Sequence, residues 1–140
     1  MTASKTYRTV PLPPAGSVIG DDPAAVFESM LTVYSPDGAR CREIVAPVDT
    51  RSYRSIIPAE ILRELGIEPV IESRFNYRDG SILKLPVAPA RVALPGKAGH
   101  SIVAFGNDPQ QTVIGGLTLV ELALAADPKN KRFVPGELTL

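Results

Sequence analysis

Apolar and polar residues alternate with a period of two along most of the chain, which predicts β-strands. Val26–Tyr34 is the first such segment and Arg40–Val48 is the second. The turn-forming residues 35–38, Ser-Pro-Asp-Gly, separate the two segments, which together predict a β-hairpin. The second strand of this hairpin runs directly into Asp49 and Thr50.

Two more hairpins and three single strands are predicted further along the chain. Arg74–Tyr77 and Ser81–Val87 flank Arg78-Asp79-Gly80, whose aspartate and glycine tolerate the positive φ of a tight turn. Ala90–Leu94 and Ser101–Phe105 flank a second turn at residues 95–99. The single strands are predicted at residues 112–114, 132–134 and 137–140.

Short helices are predicted at two places between these strands. Pro58–Gly66 has a proline suited to the first helical turn, apolar residues on one face and a glycine at its end. Thr118 and Glu121 have the spacing of a capping box, which predicts a helix that continues through Leu124 and ends at Asp127-Pro128. The expected fold is therefore mainly β with one or two short helices.

Composition indicates one globular domain preceded by an extended segment. The chain has 140 residues, of which 44% are hydrophobic, enough to build a core without disulfides. Residues 1–23 are rich in proline and are predicted to form an extended N-terminal arm, with the domain spanning residues 24–140. Fifteen basic residues balance fifteen acidic ones, so we expect neither nucleic acid nor a membrane as partner.

Several kinds of site are not expected from the residue counts. A single cysteine, Cys41, cannot form an intramolecular disulfide, and one histidine, His100, leaves no Cys/His set for zinc. Gly115-Gly116 lacks the spacing of a phosphate-binding loop. The sequence therefore predicts neither metal nor cofactor. The first residues lack the apolar stretch of a signal peptide, which indicates a cytoplasmic protein.

Four motifs along residues 26–135 are similar to those of one family, the retropepsin-like aspartic proteases, and most of all to its small bacterial and archaeal single-domain members. The motifs are an Asp-Thr after a strand, an Ile-Pro leading into a helix, an Asp-Gly hairpin, and an Ile-Gly followed by a helix and a basic return segment. In this chain they read Val48-Asp49-Thr50-Arg51-Ser52, Ile57-Pro58, Phe75-Asn76-Tyr77-Arg78-Asp79-Gly80-Ser81, and Val113-Ile114-Gly115 with Asp127-Pro128-Lys129-Asn130-Lys131-Arg132.

This resemblance implies a closed β-barrel or sandwich with a flap hairpin over a cleft, and an aspartic endopeptidase that acts on a protein or peptide. Two carboxylates a few ångströms apart share one proton, so that one activates water and the other protonates the substrate carbonyl. Asp49 would be catalytic, and Thr50 would hold the paired loops together. The substrate-binding residues implied are Arg51, Ser52, Tyr77, Arg78, Asp79, Gly80, Ile114 and Gly115. Because Asp-Thr occurs once in the chain, the pair of carboxylates requires a homodimer.

Arg51 stands where the family has glycine, and this difference leaves two outcomes open. An arginine side chain beside the carboxylates would suppress the shared proton, whereas one pointing outward would leave the pair intact. The first outcome predicts a catalytically inactive dimer that binds a peptide strand or assembles without cleavage. A third alternative comes from Ile57–Ile67, which is similar to the core of swapped-hairpin transcription regulators that bind DNA.

Overall fold

The computed structural model describes residues 26–76 and 79–136, which form nine β-strands and two short α-helices. The fold is mainly β, as the alternating pattern predicts. The strands are β1 (Val26–Tyr34), β2 (Cys41–Asp49), β3 (Ile56–Pro58), β4 (Ile71–Asn76), β5 (Ile82–Leu94), β6 (Lys97–Gly106), β7 (Ile114–Gly115), β8 (Leu124–Asp127) and β9 (Arg132–Pro135). The helices are α1 (Ala59–Glu64) and α2 (Gly116–Glu121), and a 3-10 turn covers Pro109–Gln111.

Seven strands form one mixed sheet in the order β3-β6-β5-β1-β2-β7, with β4 paired to β5, and β8 and β9 form a second sheet. The pairs β3–β6 and β2–β7 are parallel, whereas the pairs between β1, β2, β4, β5 and β6 are antiparallel. Ile56 of β3 and Val113, the residue before β7, form one antiparallel bridge and exchange two N–H···O bonds of 3.0 Å. The sheet is therefore open apart from this bridge.

This open sheet corrects the expectation of a closed barrel. The end strands β3 and β7 contain three and two residues, which are too few for a continuous ladder between them. The predicted hairpins of β1 with β2, β4 with β5, and β5 with β6 are all present. The β5–β6 turn is only Pro95-Gly96, because β6 begins at Lys97 rather than at the predicted Ser101, whereas β5 ends at Leu94 as predicted.

The main core lies where alternate residues of the large sheet meet the helices, and residues of β5 and β6 form a second, smaller buried cluster. Alternation in β1 and in the first part of β2 buries Leu31, Val33 and Ile44, while their neighbours lie closer to solvent. The last four residues of β2, 46–49, are all buried. The small sheet packs at the side of this core through Phe133, whose ring centroid is 5.4 Å from that of Phe27. The largest fully buried side chains include Phe105, Leu31, Ile44, Ile57, Ile61 and Leu62.

Helix α1 begins after Pro58 as the sequence predicts, and Gly66 with a φ of +81° turns the chain away from it. The predicted start of the second helix is wrong. Helix α2 begins at Gly116, two residues before Thr118, and has no side-chain cap. Asp127 ends β8 rather than a helix, and Pro128 follows in the turn to β9. Ala123, with a φ of +57°, is where the chain leaves α2 for β8.

Three sequence predictions fall on residues outside the described part of the chain. These are the N-terminal arm at residues 1–23, the terminal strand at residues 137–140, and the hairpin residues Tyr77 and Arg78.

Candidate active site

Asp49 is the last residue of β2 and is held between two other strands. Val26 of β1 lies opposite it on one side, and Gly115 of β7 pairs with it on the other. Asp49 is only 4% exposed, and a buried carboxylate needs compensating donors. Its Oδ1 accepts a hydrogen bond of 3.0 Å from the backbone N–H of Arg51. The fold thus fixes this carboxylate at a strand end beside a glycine.

Residues 49–54, called the Asp49 loop below, are bound tightly to the start of α2. The N–H of Gly116 donates to the carbonyl oxygen of Ser52 at 2.8 Å, and the N–H of Leu117 donates to that of Tyr53 at 2.9 Å. A Cβ atom on Gly115 would lie 2.6 Å from the Arg54 carbonyl carbon. Glycine is required at position 115 because backbone approaches backbone there.

Arg51 folds back onto the carboxylate in its own loop. Its Nε lies 3.3 Å from Asp49 Oδ1, so the guanidinium and the backbone N–H share one acceptor oxygen. The Arg51 side chain is 30% exposed, against 5% for Asp49. The sequence left two directions open for the Arg51 side chain, and in the structure this side chain lies beside Asp49 rather than pointing outward.

The loop accommodates this arginine without backbone strain. Among described residues other than glycine, only Ala123 and Lys131 have a positive φ, so position 51 does not require glycine for its backbone angles. Thr50 is exposed beside Arg51, and Ser52 is half-buried with its hydroxyl donating to the carbonyl oxygen of Arg54 at 3.1 Å. The Asp49 loop thus keeps its shape through its own backbone and hydroxyl bonds.

Sequence reasoning missed a row of buried hydroxyls behind the loop. The Gly115 N–H donates to Ser55 Oγ at 2.9 Å, and Ser55 Oγ lies 2.6 Å from Thr118 Oγ1. Thr118 Oγ1 lies 2.8 Å from Ser101 Oγ, which donates to Glu121 Oε1 at 2.6 Å. The sequence contains one signal of this row: Ser101 is a polar residue at a position of β6 where the alternation with Val103 and Phe105 predicts a buried side chain.

The predicted tip residues of the flap lie on the β4–β5 hairpin and not in the Asp49 loop. Asp79 and Gly80 are exposed, and Gly80 has a φ of +91°. Asp79 Oδ1 accepts from the backbone N–H of Ser81 at 2.8 Å and from its hydroxyl at 2.6 Å. The Ser81 hydroxyl, followed by its N–H, lowers the pKa of Asp79 below the usual 3.8. The described residues show no hydrogen bond or ion pair between Asp79 or Gly80 and the Asp49 loop.

The predicted site residues therefore divide into three groups. Asp49, Thr50, Arg51, Ser52 and Gly115 are brought together. Ile114 is fully buried, so its side chain contributes to the core rather than to an open surface. Asp79 and Gly80 lie on the β4–β5 hairpin, and the other two hairpin residues predicted to bind substrate lie outside the described range.

Within residues 26–76 and 79–136, no three His, Cys, Asp or Glu side chains are grouped so that they could hold a metal ion. None of the helices in those ranges is both long and apolar enough to cross a bilayer. No protein-family model and no curated protein matches the chain. The function is therefore inferred from the geometry of the Asp49 loop.

Proposed function

We propose that this protein is a cytoplasmic, homodimeric aspartic endopeptidase of retropepsin-like type. The observation that carries the proposal is the placement of Asp49, a buried carboxylate at a strand end whose loop is bound against Gly115 and Gly116. Asp49-Thr50 is the one Asp-Thr of the chain, so the second carboxylate comes from a second copy across a two-fold axis.

In the proposed reaction, the two Asp49 carboxyl groups hold one proton between them. The ionised group takes a proton from water while the water oxygen bonds to the peptide carbonyl carbon. The protonated group gives its proton to the carbonyl oxygen. The tetrahedral adduct then collapses as its C–N bond breaks: the leaving nitrogen takes the proton that came from water, and the other carboxylate takes a proton from a hydroxyl of the adduct. One proton is again left on the pair, and each cleaved peptide bond has consumed one water molecule.

The β4–β5 hairpin is proposed to cover an extended peptide bound over the Asp49 loop. Its tip is polar and exposed at Asp79 and Gly80, and β4 pairs only with β5 within the described sheet. A hairpin attached along one side only can open to admit substrate and close over it.

The contact of Arg51 with Asp49 favours a second candidate function. In a dimer, a guanidinium beside each of the two carboxylates would place positive charge where the pair has to hold its shared proton, which disfavours the catalytic arrangement. The dimer would then bind a peptide strand without cleaving it, by adding the strand to an open sheet edge such as that of β4.

The DNA-binding alternative has less support from the fold. The segment resembling swapped-hairpin regulators contributes Ile57, Ile61, Leu62, Leu65 and Ile67 to the main core. That core is shared with the large sheet, so the segment is not a separate small domain.

One set of variants tests the proposal and separates it from the second candidate. The chain as it exists is compared with Asp49→Asn, with Arg51→Gly, and with Asp37→Asn and Arg40→Gly as matched controls, because these two residues are exposed in the β1–β2 turn at the opposite end of β2 from Asp49. Cleavage of a mixed peptide library is followed by mass spectrometry, and association by sedimentation. Loss of the general base predicts at least about a 100-fold slower cleavage by Asp49→Asn, while that variant remains a dimer. Both controls should stay within about twofold of the wild type.

The Arg51→Gly variant decides between cleavage and binding. An inactive wild type whose Arg51→Gly variant gains cleavage identifies a binding protein inhibited by its own arginine. If both are inactive dimers, proteolysis is excluded. A strictly monomeric wild type also excludes it, because one chain supplies only one Asp-Thr.

A further inference from the structure

The buried hydroxyls of Ser55, Ser101 and Thr118 connect the candidate active site to a surface carboxylate. All three residues are at most 2% exposed, and successive oxygen atoms lie 2.6 to 2.8 Å apart. Gly115, the partner of Asp49 across the sheet, donates into one end of the row. Glu121, exposed at the end of α2, accepts at the other end.

The direction of each hydrogen bond in this row follows from counting hydrogens. A serine or threonine hydroxyl has one hydrogen, and an ionised carboxylate can only accept. Ser101 therefore uses its hydrogen on Glu121, so Thr118 must donate to Ser101 and Ser55 must donate to Thr118. Ser55 then has only lone pairs left, which suits the N–H of Gly115. The donor order is the same at every step from the active-site glycine to the carboxylate.

We propose that Glu121 is a positioning residue for the Asp49 loop, acting through the Ser101, Thr118 and Ser55 hydroxyls on Gly115. The carboxylate selects one donor order for the row, and that order keeps an acceptor on Ser55 for the Gly115 N–H. The inference rests on the proposed function only in taking Asp49 as the reacting group. The physical coupling from Glu121 to Gly115 is independent of cleavage.

Without the carboxylate, the hydrogen of Ser101 has no acceptor of fixed position. Ser101 then competes with Ser55 to donate to Thr118, so the row loses its single direction. When Ser55 no longer donates to Thr118, its hydrogen requires another acceptor in a buried place, which is unfavourable. Openings that release the Gly115 N–H therefore become more frequent.

The test is amide hydrogen exchange by NMR on the full-length chain. Glu121→Ala should accelerate exchange at Gly115 by at least about fivefold, which is less than the roughly tenfold or more expected for directly losing a bond to a charged acceptor, because three hydroxyls separate Gly115 from the carboxylate. Glu121→Gln keeps an acceptor oxygen and should stay within about twofold to threefold of the wild type. Glu60→Ala, which removes an exposed glutamate from α1, is the matched control and should leave Gly115 unchanged.

Ser101→Ala distinguishes coupling through the hydroxyls from a general effect of the charge on α2. It removes the hydroxyl that links Glu121 to Thr118 in the row, so it should accelerate exchange at Gly115 like Glu121→Ala. Adding Glu121→Ala to Ser101→Ala should then have no further effect, because the path is already broken. Ser101→Ala also carries the test if Glu121→Ala does not fold.

Two results would overturn the inference. The first is an exchange rate at Gly115 in Glu121→Ala that equals the rate in the Glu60→Ala control. If Glu121→Ala does not fold, the same result in Ser101→Ala has this meaning. The second is that Glu121→Ala accelerates exchange at Gly115 equally in the wild type and in the Ser101→Ala background. If exchange behaves as expected but neither the wild type nor Arg51→Gly cleaves any peptide, the positioning role holds and the proposed proteolysis fails.

Discussion

Replacement of Gly115 by alanine tests the close approach that holds the Asp49 loop to β7. The added Cβ would lie 2.6 Å from the Arg54 carbonyl carbon, 2.7 Å from its oxygen and 2.8 Å from the Ser52 oxygen. All three are backbone atoms, so no side-chain rotation relieves the contact. Overpacking of a buried site costs typically 1–3 kcal/mol, and we expect Gly115→Ala to lie near the upper end, at about 3 kcal/mol.

Gly99→Ala is the matched control for this substitution. Its Cβ would also meet an atom at 2.6 Å, but that atom is the terminal Cδ2 of Leu122, which can move. Alanine also restricts the unfolded chain more than glycine does, so the net cost at position 99 should be about 1 kcal/mol or less. The two variants thus separate a backbone clash from a side-chain clash at equal distance.

Urea unfolding at fixed protein concentration measures both costs. With an m value of about 1.5 kcal/mol per molar, a loss of about 3 kcal/mol lowers the midpoint by about 2 M. Gly99→Ala should shift it by less than about 0.7 M. A Gly115→Ala midpoint within about 0.3 M of the wild type, or above that of Gly99→Ala, would refute the described packing of the Asp49 loop.

Two further predictions concern the β4–β5 hairpin and acid stability. Backbone amides of residues 79–82 should exchange hydrogen faster than those of residues 113–114. Asp79 and Gly80 are exposed, whereas residues 113–114 are held by the bridge to Ile56 and by pairing with β2. Equal, slow exchange in both segments would show a rigid hairpin. Hydrogen bonds from the side chains of Ser35, Ser81 and Asn130 lower the pKa values of three aspartates below 3.8 in the folded protein. Their contribution to stability is therefore present above about pH 4 and is lost as the pH falls through the lowered values. The three aspartates are Asp37, Asp79 and Asp127. When all three are replaced by asparagine, the urea midpoint should fall less between about pH 5 and pH 3 than in the wild type. A fall as large as that of the wild type would contradict this reasoning.

The hairpins and helix α1 could be predicted from the sequence because local chemistry decides them. Alternation fixes which side of β1 and β2 is buried, and Gly66 ends α1 through a backbone angle that favours glycine. The start of α2 could not be predicted, because the Thr118 hydroxyl bonds to residues 17 and 63 positions away instead of capping its own helix. Tertiary contacts overrode a local signal there.

The candidate site was predicted only in part for the same reason. The position of Asp49 at a strand end follows from the pattern of β2. The direction of the Arg51 side chain does not, since sequence spacing allows it to point toward or away from the carboxylate. The involvement of Glu121 depends on two serines distant in the sequence, one just before β3 and one in β6, which no local pattern connects with α2.

The parallel pairing of β2 with β7 determines when during folding the Asp49 loop acquires its final shape. Residue 49 pairs with residue 115, which closes a loop of 66 residues, whereas the β1–β2 hairpin closes one of about six. Loop-closure entropy makes the longer closure about 2 kcal/mol more costly. The hairpin can therefore form early, but Asp49 gains its glycine neighbour only after the last third of the chain has joined the sheet. On a chain emerging from the ribosome, the Asp49 loop would therefore lack its final shape until α2 had been synthesised.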